Sequence, residues 1–399
     1  MPGSESPLLS LSNELLDHIV SYLPNADLRT LRLVSKDVGE RTESRVGNAC
    51  YQNLNAAFWL PYSLWKVRSV LEHWILSAYV CTITIHVDRP VLADGDEVRH
   101  CYTGCSQCDD LKGEYGTFVR DMRDQTGPDG TVATYLRQIF ECFKARKLDR
   151  WELLPAVAIR DKEQDEKVVS PLRQLEDTFG NLVSYLPNAD ASATVRTILD
   201  AMSAASLQPG NMCIGGRTFG VPVKMFRPPS VFDVQADYFS RITSLYLYIQ
   251  ATPQAEDLPT QAEDAKHLVT FLKSLQHRLT RFCFCTQVNG FESDTATATV
   301  YSMEMAFKAL YEDEVVFTKL IDLTFRFLIV DQRKLINFLA RHKDTLRTCA
   351  LPYVYLAGSE VDFAKDQWKE LFLEHLRTAG LPPADCTDTI STWKRELPI

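Results

Sequence analysis

Leu320-Ile321-Asp322-Leu323-Thr324-Phe325 places apolar side chains at its first, fourth and sixth positions. The last two alternate across one residue, which is the period of a strand that buries one face. The same spacing recurs as Ile242, Leu245 and Leu247, as Leu279, Phe282 and Phe284, and as Leu346, Cys349 and Leu351. Between and beyond these runs lie stripes with i, i+3, i+4 spacing: Leu268, Phe271, Leu272 and Leu275, then Met303, Ala306, Phe307 and Leu310, then Leu335, Phe338 and Leu339, and finally Trp368, Leu371 and Phe372. That period is helical. A strand and a helix in tandem, neither able to bury its apolar face alone, predict neighbouring units that cover one another.

Upstream the pattern is looser. Val80, Ile83 and Ile85 predict one strand, and Leu148, Trp151 and Leu153 another. Leu136, Ile139, Phe140 and Phe143, and Val195, Ile198, Leu199 and Met202, predict helices. A conventional α/β domain with a mostly parallel sheet would carry the same stripes and stands as the alternative architecture.

The N-terminus follows another logic. Ser12 or Asn13 can cap a helix whose apolar positions are Leu15, Leu16, Ile19 and Leu23, and Pro24 marks its end. Asn25 or Asp27 can cap a second helix with Leu28, Leu31 and Val34 on one face. Two short amphipathic helices cannot hide that much apolar surface from each other, so a third helix or a partner must cover some of it.

The run Leu9-Ser10-Leu11-Ser12-Asn13-Glu14-Leu15-Leu16, with Ile19, Tyr22-Leu23-Pro24, Asp27-Leu28 and Leu31-Arg32-Leu33-Val34-Ser35-Lys36, resembles an F-box of the fungal type. The resemblance implies docking to a Skp-type adaptor and, through it, to a cullin scaffold. It points to Leu11, Ser12, Leu15, Ile19, Leu23, Leu28, Leu31 and Val34 as residues for the adaptor contact and the module's own small core. The family usually has a proline where Ser12 stands; serine still caps the helix but lacks the proline contact, so weaker adaptor binding is expected.

The repeated Leu-x-x-Leu-x-Leu spacing resembles the core of leucine-rich repeats, with irregular units and no clear Asn or Cys ladder. The expected fold class is therefore mixed, α+β and α/β: a small helical F-box followed by an irregular leucine-rich-repeat-like α/β solenoid, similar to the C-terminal halves of many fungal F-box proteins. The expected boundaries are an F-box over 8–50, a helical connector over 51–77 and the array over 78–399, with inserted loops near 88–130 and 203–235. The connector, with Phe58-Trp59-Leu60-Pro61-Tyr62, Leu64, Val67, Leu71 and Trp74, suits stiff coupling of the two ends.

Bulk properties narrow the function. The chain has 399 residues, 45% hydrophobic and 24% charged, with a formal net charge of -9, which disfavours a chain-wide electrostatic footprint for nucleic acid. The first residues lack the basic head and apolar run of a secretory signal, and no apolar stretch approaches the ~18 residues of a membrane span. A cytoplasmic or nuclear protein with no membrane contact is expected, and its eleven cysteines read as reduced thiols.

Three segments stand apart from these patterns. Cys105 and Cys108 have the spacing that grips one zinc ion and Cys101 is a possible third ligand, but no second pair follows, so an acidic surface loop is the preferred reading and metal the alternative. Gly215-Gly216-Arg217, Lys224 and Arg227 lie in a Gly- and Pro-rich stretch able to cradle an anion, although it lacks a phosphate-loop fingerprint. The octapeptide Val20 to Asp27 recurs as Val183 to Asp190 without the rest of the F-box pattern, and reads as another helix ended by proline. His18, His342 and His375 read as surface or packing residues, and no catalytic motif stands in convincing context.

The expected function is a non-catalytic, cofactor-free substrate receptor of an SCF-type cullin ubiquitin ligase, the F-box binding the adaptor and the repeat region an unknown protein target. The alternatives are an F-box protein with a structural or regulatory role outside ubiquitin ligation, and a metal-containing enzyme using the 101–108 cysteines.

Overall fold

The computed structural model describes residues 10–31, 33–87, 89–92, 130–146, 155–160, 183–186, 192–216, 220–230, 232, 237–250, 258–287, 307, 310–311, 315–326, 328–352 and 354–357, and near the C-terminus 374, 377–378, 380, 384–385 and 391–392. Three helices open the chain: α1 (Asn13–Val20), α2 (Asn25–Leu31) and α3 (Lys36–Cys50). Ser12 caps α1, its Oγ accepting from the Leu15 amide at 3.4 Å, and Ser35 caps α3, accepting from the Val38 amide at 3.1 Å. Leu16, Val20, Leu28, Val46 and Cys50 form a small core of their own, with Leu23 and Leu31 packed at its margin. α3 is thus the third helix that the first two require.

Only Tyr51 and Gln52 separate α3 from β1 (Asn53–Ala57). The Gln52 carbonyl accepts from the amides of Cys81 and Thr82, both at 2.9 Å, and Tyr51 packs against both the helical core and the main core. The expected helical connector over 51–77 is therefore corrected: it begins as a strand of the sheet and continues as α4 (Pro61–Glu72). Asn53, Asn55 and two alanines gave little apolar signal, and it is pairing with the next strand that makes the segment extended.

The remaining strands are β2 (Thr82–His86), β3 (Arg89–Leu92), β4 (Ala156–Arg160), β5 (Val183–Leu186), β6 (Asn211–Ile214), β7 (Val221–Pro222), β8 (Ser244–Gln250), β9 (Arg281–Gln287), β10 (Asp322–Arg326), β11 (Ile329–Asp331), β12 (Thr348–Ala350), β13 (Tyr355–Ala357), β14 (Ala384–Asp385) and β15 (Ser391–Thr392). The helices that follow α4 are α5 (Thr131–Ala145), α6 (Ser192–Ala204), α7 (Leu258–Leu275) and α8 (Gln332–Ala340). The main sheet runs β1-β2-β4-β6-β8-β9-β10-β12-β14, every neighbouring pair parallel, with β7 extending the edge of β8. Spatial order therefore follows chain order. Parallel neighbours need a crossover, which α4, α5, α6, α7 and α8 supply at the β1–β2, β2–β4, β4–β6, β8–β9 and β10–β12 steps. A second parallel sheet, β11-β13-β15, collects the short strand that follows each of the last three main-sheet strands, and β3 pairs antiparallel with β5.

Register turns the sequence spacing into rungs. Leu54, Ile83, Val157, Met212, Leu245, Phe282, Leu323 and Cys349 stand side by side across the sheet, and Ala56, Ile85, Ile159, Ile214, Leu247, Phe284 and Phe325 form a parallel rung two residues on. Both rungs and the inward stripes of α4 to α8 belong to one continuous core. Residues between them fall on the opposite face.

The strand expected on Leu148, Trp151 and Leu153 lies outside the described residues; β4, a few residues on, is carried by Val157 and Ile159. Two expectations need correction. The inserted loop near 203–235 contains β6 and β7, because Met212 and Ile214 continue the rungs through a stretch whose Gly and Pro content read as loop. The second copy of the octapeptide does not end a helix: Val183–Leu186 is strand β5, whereas the same four residues at 20–23 end α1 and turn. Amphipathic residues upstream favour helix in the first copy, and pairing with β3 fixes the second. Met303, Ala306, Trp368, Leu371 and Phe372 lie outside the described residues.

Candidate adaptor-docking surface

Helix α1 has apolar residues on two sides. Leu16 and Val20, four apart, are each 1% exposed and face the helical core. Leu15 and Ile19, also four apart, are 54% and 42% exposed, and Tyr22 continues their stripe at 75%. The turn between α2 and α3 adds Leu33 at 82% and Val34 at 63%. That turn is tight, with the Leu33 amide donating to the Thr30 carbonyl at 2.9 Å and the Val34 amide to the Leu31 carbonyl at 3.1 Å. A module this small with five large apolar side chains facing water is built to be covered. Such a surface can bind a partner by burial.

The eight residues selected from sequence divide by environment. Leu15, Ile19, Val34 and the capping Ser12 are exposed, and Leu11 is half-buried. Leu23 and Leu31 are half-buried against the module's core, and Leu28 is inside it. Tyr22 and Leu33 were missed, although Tyr22 lies three residues beyond Ile19 on the same stripe. Also missed was Arg41 on α3, which donates to Asn13 Oδ1 at 2.7 Å and to the Leu11 carbonyl. Nothing in the local pattern ties it to residues some thirty positions upstream. The Glu14 carboxyl sits below its usual pKa because its own backbone amide and the Ser12 hydroxyl hydrogen-bond to its charged form.

Beyond the F-box, the first residues of the main-sheet strands make a mostly polar rung. Asn53, Thr82, Ala156, Asn211, Ser244, Arg281, Asp322 and Thr348 form one rung. Arg281 Nε donates to Asp322 Oδ2 at 2.8 Å, and Thr348 Oγ1 donates to Asp322 Oδ1. These bonds, that from Thr348 first, hold the Asp322 carboxyl below its usual pKa range. Tyr246 stands exposed on the next rung.

The other candidate chemistry does not assemble. Arg227 is engaged by Asp264 on α7, with Nε and Nη2 both 2.8 Å from Oδ1, so it ties its loop to that helix instead of facing an anion. Gly215 is buried with φ 99°, Lys224 is exposed, and Arg217 lies outside the described residues. His342 is a packing residue: its Nε2 accepts from the Phe317 amide at 2.9 Å, and its Nδ1 donates to the Phe338 carbonyl at 2.8 Å. His18 is exposed with Tyr22 edge-on to its ring at 5.1 Å, while His375 and Cys101, Cys105 and Cys108 lie outside the described residues. Among the described residues no group of three or more His, Cys, Asp or Glu is placed to hold a metal ion, and no helix is long and apolar enough to cross a membrane.

Comparison with curated proteins found no match. A family model does match the N-terminus, over α1, α2 and the start of α3: residues 8–38 are an F-box domain.

Proposed function

We propose that the chain is the substrate receptor of an SCF-type cullin ubiquitin ligase, its F-box of the fungal type docking a Skp-type adaptor. The observation that carries this reading is the outward stripe Leu15, Ile19 and Tyr22, with Leu33 and Val34, standing over a core that is complete without them. F-box domains typically bind such adaptors, and the adaptor in turn joins the cullin. The chain contributes placement, not chemistry; ubiquitin transfer occurs on its partners.

The region after the F-box is read as a degenerate leucine-rich-repeat-like array whose polar rung receives a protein target. Chain-order parallel strands, with α4 to α8 packed on the face that carries the two apolar rungs, support it. Arg281, Asp322, Thr348 and Tyr246 are the residues proposed to meet the target, in the cytoplasm or nucleus. Co-purification with the host adaptor tests the docking half. Native protein is expected to retain adaptor and the double variant Leu15→Asp, Val34→Asp to lose it while its sheet still melts cooperatively; a native chain that retains none sinks the proposal. Target accumulation on gene deletion, found by mass spectrometry under proteasome inhibition, tests the receptor half against a role outside ubiquitin ligation.

A further inference from the structure

Arg41 projects from α3 toward the start of α1. Its Nε donates to Asn13 Oδ1 at 2.7 Å, its Nη2 to the Leu11 carbonyl, and its Nη1 lies 3.7 Å from Asp37 Oδ2 one turn back on α3. The side chain is only 17% exposed. The two long-range bonds bracket Ser12, the residue that heads the stripe continued by Leu15, Ile19 and Tyr22 at i+3, i+7 and i+10.

α1 has only eight residues, too short to hold its first turn by propensity, and the Ser12 capping bond is long at 3.4 Å. A guanidinium fork can satisfy a carbonyl and an amide oxygen at once from a fixed plane, whereas a lysine ammonium is a single point on a flexible stem. The start of α1 is therefore fixed from α3.

We infer that Arg41 is a positioning residue for adaptor docking: it clasps Leu11 and Asn13 and so fixes the angle at which Leu15 and Ile19 are presented. The inference rests on the reading of α1 as the adaptor-docking helix. Without the clasp the first turn frays, and the adaptor must reorder it on binding, so the loss appears in affinity and in local protection, not in the F-box core.

The test uses the full chain, native and with Arg41→Lys, Arg41→Ala, Asn13→Ala and the Arg41→Ala, Asn13→Ala pair, in calorimetric titration with purified adaptor and in amide hydrogen exchange without it. Both Arg41 variants are expected to bind about tenfold more weakly, and the double variant no more weakly than Arg41→Ala, as for groups acting through one contact. Exchange should quicken at Leu15 and Leu16 and stay native along α3. Native-like affinity in Arg41→Ala, or faster exchange spread equally over α3, overturns the inference. If the native chain does not bind the adaptor, the docking reading falls first and the inference falls with it.

Discussion

Replacing Leu15 and Ile19 together by alanine separates docking from folding. Their exposures of 54% and 42% mean that about half of each side chain is still available to be covered. Full burial of a leucine or isoleucine is worth roughly 1.5–3 kcal/mol, so the covered remainder contributes about 0.7–1.5 kcal/mol each and ~1.5–3 kcal/mol for the pair. At ~1.4 kcal/mol per decade this is roughly a tenfold to hundredfold rise in Kd for the adaptor. The same truncations leave Leu16, Val20, Leu28, Val46 and Cys50 packed, so the thermal midpoint should move little, as for surface substitutions of about ±0.5 kcal/mol. Leu16→Ala is the contrasting variant: it removes a side chain that is 1% exposed and should cost about 2–5 kcal/mol of F-box stability. Titration calorimetry with the adaptor, alongside thermal unfolding of each variant, reads both quantities. An affinity loss below about threefold in the Leu15, Ile19 pair, with folding intact, would refute the assignment of this stripe as the docking surface.

Burial holds the His342 pKa below its ordinary value, so its neutral form stabilises the fold. That contribution is complete above the unfolded pKa of about 6.5 and is lost as pH falls through and below it. Acidification from pH 7 to pH 5 should therefore lower the melting temperature of the native chain more steeply than that of His342→Gln, and equal slopes in calorimetry would contradict this. Asp264→Ala frees Arg227, which is half in water and rehydrates, so a loss of about 1–3 kcal/mol is expected in urea unfolding, with Asp264→Asn in between. Gly47→Val is expected to cost about 1–3 kcal/mol or more, since a Cβ at Gly47 would lie 2.3 Å from the Tyr79 ring; an unchanged midpoint would show that α3 can shift away without loss.

What was legible in the sequence was periodicity backed by large side chains. Phe282 and Phe284, Leu323 and Phe325, and the stripe Leu335, Phe338 and Leu339 are buried where their spacing put them. β1 and β6 were not legible, because Asn53-Leu54-Asn55-Ala56-Ala57 and Asn211-Met212-Cys213-Ile214 carry too little apolar contrast to stand out from turn residues. Their extended form is dictated by neighbouring strands, which no short window contains. The octapeptide makes the same point: one string of residues ends a helix near the N-terminus and opens as a strand at 183–186. On the docking surface, helical period distinguished apolar from polar positions but not outward Leu15 from inward Leu16. That choice is made by α3, through Val46 and Cys50.

The two-residue passage from α3 into β1 bears on how the region after the F-box can be studied alone. Among the described residues β1 is the terminal strand of the main sheet, paired with β2, and α3 lays Gly47 against the ring of Tyr79 close by. Truncating the chain before Tyr51 would strip a flat aromatic ring of its cover beside the sheet's first strand, a surface prone to self-association. Deleting the F-box is thus a solubility experiment as much as a binding experiment. Point changes on α1, which leave that junction closed, are the cleaner way to silence docking.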